Sequence, residues 1–479
     1  MSKVYESLRD FLATLEAEGQ LVRVKDQVMP EPDIGSASRA AANMSGDAPA
    51  ILFENIKGYK GKVVTNVHGS WANHALMLGL PKNTPIKEQF FELNRRWDKY
   101  PVPPVFVSRD EAPCKENTIT ENINIFELLP LYRINDQDGG FFISKAAVVS
   151  GEPNDPENLN KMNVGTYRIQ VKDKDRIGIQ ALAMHDIAVQ LEQAERKNEK
   201  LRVAIALGND PVVTFMASTP IAHDQSEYDF AGALRNGEPV KVVKADKADH
   251  LFVPASAEVI LEGYIEPRVR EIEGPFGEFP GSYSGARNQC VIKIDHITHR
   301  NDPIFENLYI GIPWTETDYL VALNTSVPIF KQVKESCPEV VAVNAMYMHG
   351  HIAIVSTKCR YGGYGKGVAF RLLSTPHGMP YTKVVIVVDD YVDPFNLNQV
   401  MWAIASRVKP AKDVAIIPNR AGMPLDPSSN PAGMHDKLII DATTPVAPEP
   451  NPRPVEMLTP PADTEKWEKI LAELISSLK

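Results

Sequence analysis

The sequence predicts a three-domain protein in which a β-rich domain lies between two α/β domains. Its 479 residues suit two to four domains, and 43% hydrophobic residues are enough to form sizeable cores. Short β-rich runs separated by turns fill residues 120 to 310, a pattern typical of a β-barrel or a strongly twisted sheet. After residue 318, near-continuous apolar strands alternate with helical patterns, as in a buried parallel sheet. These observations place α/β, β and α/β domains in that order along the chain.

The first α/β domain is predicted for residues 1–115. An amphipathic helix opens it, with apolar side chains at helical spacing: Leu8, Phe11, Leu12 and Leu15. Gly19 is a typical helix end, and the run L-V-R-V that follows it predicts a strand. The run P-V-P-P-V-F-V at 101 to 107 is rich in proline, which interrupts regular structure, so it indicates the end of this domain.

The β-rich domain is predicted for residues 116–310 and the second α/β domain for residues 318–445. Runs such as Y-R-I-Q-V-K and C-V-I-K-I-D-H-I predict strands of the central domain, with one helix at A-M-H-D-I-A-V-Q-L-E-Q-A-E-R-K. In the last domain, K-V-V-I-V-V-D-D and D-V-A-I-I-P are the predicted buried strands.

Residues 446–479 are predicted to form a proline-rich arm that leads to a C-terminal helix. One stripe of this helix is apolar: Trp467, Ile470, Leu471, Leu474, Ile475 and Leu478. The stripe suits packing on its own subunit and docking on a neighbouring subunit equally well.

The net charge and the composition limit which kinds of molecule the protein is expected to bind. The net charge of -10 and the pI near 5.7 argue against nucleic acid or an anionic membrane, since no basic tract is present. The first residues lack an apolar signal core, and no apolar run reaches transmembrane length, so we expect a cytoplasmic protein that acts on a solute. The four cysteines lie far apart without a C-x-x-C pair, so we expect them to be reduced.

The hexapeptide E-G-P-F-G-E contains the most informative carboxylates, Glu273 and Glu278. Gly and Pro fix an irregular loop here, and such a loop can aim both side chains inward. Two close carboxylates repel, so one is pushed towards its protonated form, and a guanidinium such as Arg168 between them keeps the other ionised. The pattern therefore indicates an acid and a base at neutral pH, or else a buried ion-pair network that only holds the loop.

Three unlike ligand types in the central domain suit a divalent cation. Asn163 offers an amide oxygen, His185 an imidazole and Glu227 a carboxylate. This set fits an ion such as Mn²⁺ that keeps open positions for water or a phosphate oxygen. No two of the three share a tight motif, so their spacing alone does not establish a metal site.

Two other fragments carry weaker signals. The run Y-G-G-Y-G-K-G at 361 to 367 lacks P-loop spacing and the following Ser or Thr, which argues against nucleotide binding there. His349 and His351 in M-H-G-H resemble a ligand pair, but next to the strand-like I-A-I-V a structural packing role is favoured.

The runs N-V-G-T-Y-R and E-G-P-F-G-E, with the later His and Glu, resemble the UbiD family of decarboxylases, which use prenylated flavin mononucleotide (prenylated FMN). The similarity extends along the chain. Stretches such as E-N-L-Y-I-G-I-P-W-T-E and L-I-I-D-A-T-T-P-V-A-P-E resemble most the large subunits of reversible, non-oxidative hydroxyarylic acid decarboxylases. The resemblance implies an N-terminal α/β domain, a central split β-barrel like that of flavin reductases, and a C-terminal α/β oligomerisation domain.

The resemblance also implies roles for individual residues. Asn163, His185 and Glu227 would hold Mn²⁺ against the flavin phosphate, and K⁺ would be bound by Glu227 and backbone near Ser218. The implied cofactor contacts are Asn163, Thr166, Arg168, Met184, His185, Ser218, Thr219, Glu227 and Lys383. Arg168, Glu273 and Glu278 would form the catalytic network, with Glu278 as the proton donor. Polar candidates near the substrate ring are Thr317 and His435.

The expected reaction is the reversible decarboxylation of a small hydroxybenzoic acid to a phenol and CO₂. The resemblance further implies a flavin prenyltransferase as cofactor supplier, sometimes a small companion subunit, and a homo-oligomer such as a hexamer. Two alternatives stay open at this stage: a flavin-dependent oxidoreductase, and a non-catalytic subunit of a decarboxylase complex.

Overall fold

A computed structural model describes residues 3–44, 46, 48–183, 185–449, 458 and 461–476. The strands are β1 (Leu21–Val24), β2 (Ala50–Phe53), β3 (Lys62–Thr65), β4 (Val105–Phe106), β5 (Asn117–Ile119), β6 (Phe141–Ser150), β7 (Asn163–Asp173), β8 (Arg176–Ile179), β9 (Leu201–Leu207), β10 (Lys241–Lys244), β11 (Phe252–Pro254), β12 (Val259–Glu273), β13 (Arg287–His299), β14 (Ile304–Glu306), β15 (Val340–Tyr347), β16 (Ile352–Thr357), β17 (Val384–Asp389), β18 (Val414–Ala421) and β19 (Met434–Ala442). The α-helices are α1 (Leu8–Ala17), α2 (Gly35–Ala42), α3 (Trp71–Met77), α4 (Ile86–Trp97), α5 (Ile125–Leu128), α6 (Asp186–Lys197), α7 (Pro211–Ala217), α8 (Glu227–Leu234), α9 (Glu316–Leu320), α10 (Leu323–Lys334), α11 (Tyr364–Leu373), α12 (Gly378–Tyr381), α13 (Leu397–Arg407), α14 (Pro410–Asp413) and α15 (Thr464–Ser476).

The N-terminal part is a small sheet covered by helices. Ser7 caps α1, because its hydroxyl accepts a hydrogen bond from the backbone N–H of Asp10 at 3.2 Å. The apolar stripe of this helix is buried, as its spacing predicts. The sheet has the order β1-β2-β3-β14, so a strand that is distant in sequence, β14, completes it by pairing parallel to β3.

The centre of the molecule is a closed antiparallel β-barrel of six strands. Its strand order is β12-β9-β6-β7-β8-β13, and pairing between β12 and β13 closes the barrel. The short strand β5 extends from β13. The predicted β-barrel is therefore confirmed. Strand β6 is buried along nearly its whole length, and its sequence F-F-I-S-K-A-A-V-V-S is apolar except for Ser144, Lys145 and Ser150.

The C-terminal part is a five-stranded mixed sheet with the order β15-β16-β17-β19-β18. Strands β16, β17 and β19 run parallel, and their Val- and Ile-rich sequences are largely buried, as predicted for a covered parallel sheet. The predicted C-terminal helix is present as α15, with Trp467 and Leu471 more than half exposed, whereas Leu478 lies outside the described residues. Within the part of the chain that is described, no helix is long and apolar enough to cross a bilayer.

The fold class is thus the mixed α/β and β-barrel arrangement that the sequence predicts. The four domain ranges stay a prediction. Pairing of β14 (Ile304–Glu306) with β3 shows that the end of the predicted central range belongs to the N-terminal sheet.

A buried ammonium connects the barrel to both flanking parts. Lys145 lies on β6, and its Nζ is 2.7 Å from a carboxylate oxygen of Glu306 on β14 and 2.6 Å from one of Glu316 on α9. The same Nζ is 2.9 Å from Nδ1 of His68. Glu316 also accepts backbone hydrogen bonds from Asn66 at 2.8 Å and His68 at 3.0 Å. Burial raises the pKa of Glu316, but Lys145 and these donors outweigh it and lower the pKa to about 2.

Replacing Lys145 by Met should destabilise the fold strongly. The side chains of Lys145, Glu306 and Glu316 are at most 1% exposed, so removal of the cation leaves two buried carboxylates without a counter-charge. Breaking a buried pair in this way costs about 3 to 5 kcal/mol. Thermal unfolding should show a clearly lower midpoint for Lys145→Met. The matched control is Lys241→Met, because Lys241 pairs with Glu6 at 3.1 Å on the surface, where both side chains are more than half exposed. Equal midpoints for the two variants would contradict this role.

Candidate active site

Two adjoining cavities between the barrel and the C-terminal part contain most of the predicted site residues. The larger lobe has a volume of about 250 Å³ and the smaller lobe about 180 Å³. They adjoin because six residues line both: Thr166, Tyr167, His185, Ser218, His349 and Met423. Strand β7 runs along both lobes, with Asn163 at its start in the larger lobe and Arg168 in the smaller lobe.

Arg168 lies between the two glutamates of the hexapeptide. Its Nε and Nη2 donate to the two carboxylate oxygens of Glu273 at 3.0 and 2.8 Å, a bidentate pair. Its Nη1 donates to Glu278. Glu273 is 0% exposed, and Arg168 and Glu278 are 8% and 7% exposed. Arg168 and Glu278 line the smaller lobe, whereas Glu273 lies behind them. The structure therefore brings together the three residues that the sequence analysis combined.

The local backbone explains how this loop aims Glu278 inward. Gly274 adopts a φ of +90°, which favours glycine, directly after the end of β12 at Glu273. The loop is held from the other side, where Gly139 N–H donates to the carbonyl of Pro275 at 2.7 Å. A side chain at Gly139 would place its Cβ only 2.4 Å from the carbonyl oxygen of Gly274. Gly139 is therefore required by the close approach of the two backbone segments, and Gly274 is favoured by its backbone conformation.

Burial and the neighbouring charged groups shift the pKa of Glu278. Burial raises the pKa of Glu278, Arg168 lowers it, and repulsion from Glu273 raises it, with a net rise above the ordinary value. For Arg168, burial lowers the pKa, but the two glutamates raise it more, so the guanidinium stays charged. One carboxyl group that holds its proton more strongly than usual thus lies beside a permanent cation.

The three predicted metal ligands line the larger lobe. Glu227 begins α8, and its Oε2 is buried and receives no hydrogen bond from the described residues. Burial raises the pKa of Glu227 to about 8, so this carboxyl group lacks the positive partner that a buried carboxylate needs. Burial also lowers the pKa of His185 to about 4, which keeps the imidazole neutral and available as a ligand. The amide nitrogen of Asn163 makes only long contacts, 3.4 Å to Tyr167 Oη and 3.5 Å to Ser150 Oγ.

Most of the other residues implied by the resemblance also line the cleft. Ser218 Oγ donates to Thr166 Oγ1 at 3.0 Å, and Thr219 lies beside them in the larger lobe. Thr317, on α9, lines the smaller lobe, and its buried hydroxyl has no hydrogen-bond partner among the residues described. Met184 lies outside the described residues.

Lys383 and His435 occupy a different place. Neither lines the two lobes. Both contact Asp426, at 2.9 Å from Lys383 Nζ and 3.3 Å from His435 Nδ1. Their predicted roles at the cofactor and the substrate stay predictions.

Two carboxylate and histidine clusters lie away from the cleft. His68, Glu306 and Glu316 form one cluster, and Asp246, Glu262 and His296 form the other. Each already contains a buried ammonium, Lys145 in the first and Lys115 in the second, where Lys115 Nζ is 3.1 Å from Glu262. The lysine supplies the positive charge that a metal ion would bring.

Four polar residues that line the smaller lobe were not predicted as site residues: Ser144, Tyr167, Gln180 and His349. Gln180 follows β8, and pairing of Ile169 with Ile179 places it across from Arg168. The feature that could have identified Gln180 in the sequence is its position one residue after the barrel strand β8. His349, for which a structural role was favoured, lies in the turn between β15 and β16 and lines both lobes. The repeated histidines of M-H-G-H were its signal.

Comparison with known families matches three consecutive parts of the chain. Residues 12–93, 105–313 and 318–442 match the N-terminal, Rift-related and C-terminal domains of 3-octaprenyl-4-hydroxybenzoate carboxy-lyase, the UbiD models. Together they span most of the chain.

Individual relatives match over almost the full length. A phenolic acid decarboxylase of Sedimentibacter hydroxybenzoicus is 70% identical over 477 residues, covering 100% of this chain and 99% of that protein. The solved vanillic acid decarboxylase of the same organism, in its closed form, has a TM-score of 0.93 at 70% identity, with 99% of each chain covered. An evolved dimeric form of the UbiD-class enzyme HmfF from Pelotomaculum thermopropionicum, in complex with prFMN, has a TM-score of 0.81 at 30% identity and covers 96% and 98% of the two chains. The family match along three domains and the full-length similarity to decarboxylases show that this chain is a decarboxylase and belongs to the UbiD family of carboxy-lyases.

Proposed function

We propose that this protein catalyses the reversible, non-oxidative decarboxylation of a hydroxybenzoic acid to the phenol and CO₂ with prenylated FMN as cofactor. One observation carries the proposal. Arg168 and Glu278 line a small cavity that adjoins the lobe with Asn163, His185 and Glu227. An acid and base pair therefore lies next to a place for an anionic cofactor and its metal ion.

The names of the relatives support the substrate class. Relatives at 70% identity are named for phenolic and vanillic acids, and both are aromatic acids with a ring hydroxyl. The more distant HmfF was solved with prFMN. We extend the phenolic acid and the prenylated flavin to this chain because the similarity covers its full length.

The larger lobe fits a divalent cation, Mn²⁺ by our proposal, because the orphaned buried carboxylate of Glu227 needs a positive partner. Asn163 and His185 would complete the ligand set and leave positions for a phosphate oxygen. A K⁺ ion near Glu227 and the backbone at Ser218 would supply further positive charge. When bound, prenylated FMN supplies the electron sink that protein side chains lack.

Arg168 would orient the substrate carboxylate. A guanidinium has five N–H donors, and three of them bond Glu273 and Glu278, so two remain for a further acceptor. The bidentate pair with Glu273 fixes the plane of the guanidinium and hence the direction of these two donors.

Glu278 would transfer the proton. In decarboxylation the carboxyl group donates a proton to the ring carbon that loses CO₂, and in the reverse direction the carboxylate removes it. Its raised pKa suits this role, because the group must hold a proton near neutral pH. Glu273, which is fully buried and does not line the lobe, would position Arg168.

The rest of the smaller lobe suits an aromatic ring and the release of a neutral gas. Apolar side chains form much of its wall: Phe276, Phe279, Leu308, Ile310, Leu320 and Val321. Such a wall excludes water from the ring carbon, so the proton comes from Glu278 rather than from solvent.

We also propose the assembly that the resemblance implies. A flavin prenyltransferase would supply the cofactor, and a small companion subunit would join a homo-oligomer such as a hexamer. The solved vanillic acid decarboxylase of Sedimentibacter hydroxybenzoicus is called ShVdcCD, a name that joins two components. In this chain, the exposed Trp467 and Leu471 of α15 offer apolar surface for such contacts.

Replacing Glu278 by Gln should abolish turnover and leave cofactor binding intact. Glutamine keeps the size and the hydrogen bond to Arg168 but cannot exchange a proton, and proton transfer contributes roughly 10²- to 10⁴-fold to rates. The protein should be purified from a host that also expresses a flavin prenyltransferase. Hydroxybenzoates are then screened for CO₂ release and for bicarbonate incorporation, with flavin absorbance as the measure of loading.

The matched control is Glu271→Gln, two residues before Glu273 on the same strand, because its side chain is one-third exposed and lies outside both lobes. It should keep nearly full activity. Turnover by a loaded Glu278→Gln variant would remove the role assigned to Glu278, and a loaded natural sequence without activity on any hydroxybenzoate would overturn the proposed reaction.

Replacing Glu227 by Gln should remove metal and flavin together. The variant loses the negative charge that draws the cation into the larger lobe, and with the cation it loses the bridge to the phosphate. Metal content and flavin absorbance of the purified protein should both fall to about a tenth or less, in line with the effects of disturbing metal ligands. Glu238→Gln, an exposed position beyond the same helix, is the control. Full metal and flavin content in Glu227→Gln would refute this ligand assignment.

A further inference from the structure

His349 lies at an unusual backbone position beside the cleft. Three consecutive residues in the turn between β15 and β16 have positive φ angles, 52° at Met348, 54° at His349 and 79° at Gly350. Side chains other than glycine pay an energetic cost there, and such positions cluster at functional sites. Joining β15 to β16 does not by itself require three consecutive positive φ angles. The unusual backbone of this turn therefore indicates that the position of His349 has a function.

The imidazole of His349 is free to bind a ligand. Its ring packs against Phe279 at a tilt of 47°, with 4.3 Å between ring centroids, and it borders both lobes. It forms no hydrogen bond with any residue that the structure describes. Burial lowers the pKa of His349 to about 3, so at neutral pH the ring offers one N–H donor and one nitrogen acceptor.

The polar groups that line the smaller lobe come from different elements of the fold. Arg168 and Gln180 come from adjacent barrel strands, and the barrel side therefore suits the substrate carboxylate. Thr317 and His349 come from α9 and from the turn after β15, outside the barrel. The hydroxyl of Thr317 is also without a partner among described residues. An aromatic acid that binds Arg168 through its carboxylate still needs a partner for its ring hydroxyl, and Thr317 and His349 line the same lobe and have polar groups without a partner among the described residues.

We propose that His349 is a specificity-determining residue that hydrogen-bonds the ring hydroxyl of the substrate, with Thr317 of the same lobe as a second partner. This inference rests on the proposed function and adds a reason for the choice of phenolic acids. A buried ring hydroxyl without a partner is unfavourable, and the half-buried imidazole of His349 would lose a partner with a substrate that lacks the hydroxyl. A site built around such a hydrogen bond discriminates between acids with and without the ring hydroxyl more strongly than an apolar pocket does.

The test measures binding in the flavin-loaded Glu278→Gln protein, which holds acids without turning them over. Dissociation constants for 4-hydroxybenzoate and benzoate are compared with and without His349→Phe, which keeps a ring packed against Phe279 but removes both nitrogens. We expect affinity for 4-hydroxybenzoate to fall roughly 10- to 100-fold, and affinity for benzoate to change less than about threefold. His349→Asn keeps a donor and suits the left-handed backbone, so it should recover much of the lost affinity.

His351→Asn is the control, because His351 lies in the same turn but lines neither lobe. The His351→Asn variant should change the affinities for 4-hydroxybenzoate and benzoate by the same factor. Equal losses for both acids in His349→Phe, or no loss for 4-hydroxybenzoate in either His349 variant, would overturn the inference while leaving the proposed function intact. Absence of hydroxybenzoate decarboxylation by the loaded natural sequence would instead overturn both.

Discussion

The site depends on one buried cation that cannot release its proton. The guanidinium of Arg168 keeps its charge, so its burial on β7 requires carboxylates close by. Glu273 pairs with it in a bidentate geometry, and Glu278 binds the remaining side. With both carboxylates ionised the trio has one excess negative charge in a buried site, and uptake of one proton relieves this excess. Burial is the main reason why the pKa of Glu278 is raised, and repulsion from Glu273 adds to the rise, whereas the contact with Arg168 opposes it.

A buried cation between two glutamates occurs a second time in the structure, but there its role is structural. Lys145 lies between Glu306 and Glu316, as Arg168 lies between its two glutamates. None of the three groups around Lys145 lines the cleft, although their neighbours Ser144 and Thr317 do. The Lys145 cluster therefore fixes the elements that form the wall, while the Arg168 cluster presents charged groups to the cavity. Access to the cavity, rather than residue type, separates a structural from a chemical role here.

Much of the fold could be predicted from the sequence, because strand and helix periodicities are local. The barrel, the buried parallel strands and the helix at Leu8–Ala17 follow directly from such patterns. The union of Arg168, Glu273 and Glu278 was also predictable, because two glutamates close together in a loop fixed by Gly and Pro need a positive partner, and the family resemblance pointed to Arg168. What could not be predicted depends on long-range pairing. Lys145 and Glu316 are 171 residues apart, and nothing near Lys145 indicates its partner. The position of His349 was missed because a positive φ at a non-glycine residue is imposed by tertiary structure.

The two lobes differ in polarity, and this difference determines what each can hold. The larger lobe contains an orphaned carboxylate, a neutral imidazole and hydroxyl groups from Ser218 and Thr219, so an occupant without positive charge would leave Glu227 buried and unpaired. The smaller lobe has an apolar wall with Arg168 at one side, and an ion cluster there would lose its hydration without gaining comparable ligands. The proposed metal-bound phosphate therefore suits the larger lobe better, and the proposed aryl carboxylate suits the smaller lobe better. Because Thr166, His185 and Ser218 line both, the reactive part of a bound cofactor would have to meet the substrate at this shared boundary, close to Arg168 and Glu278.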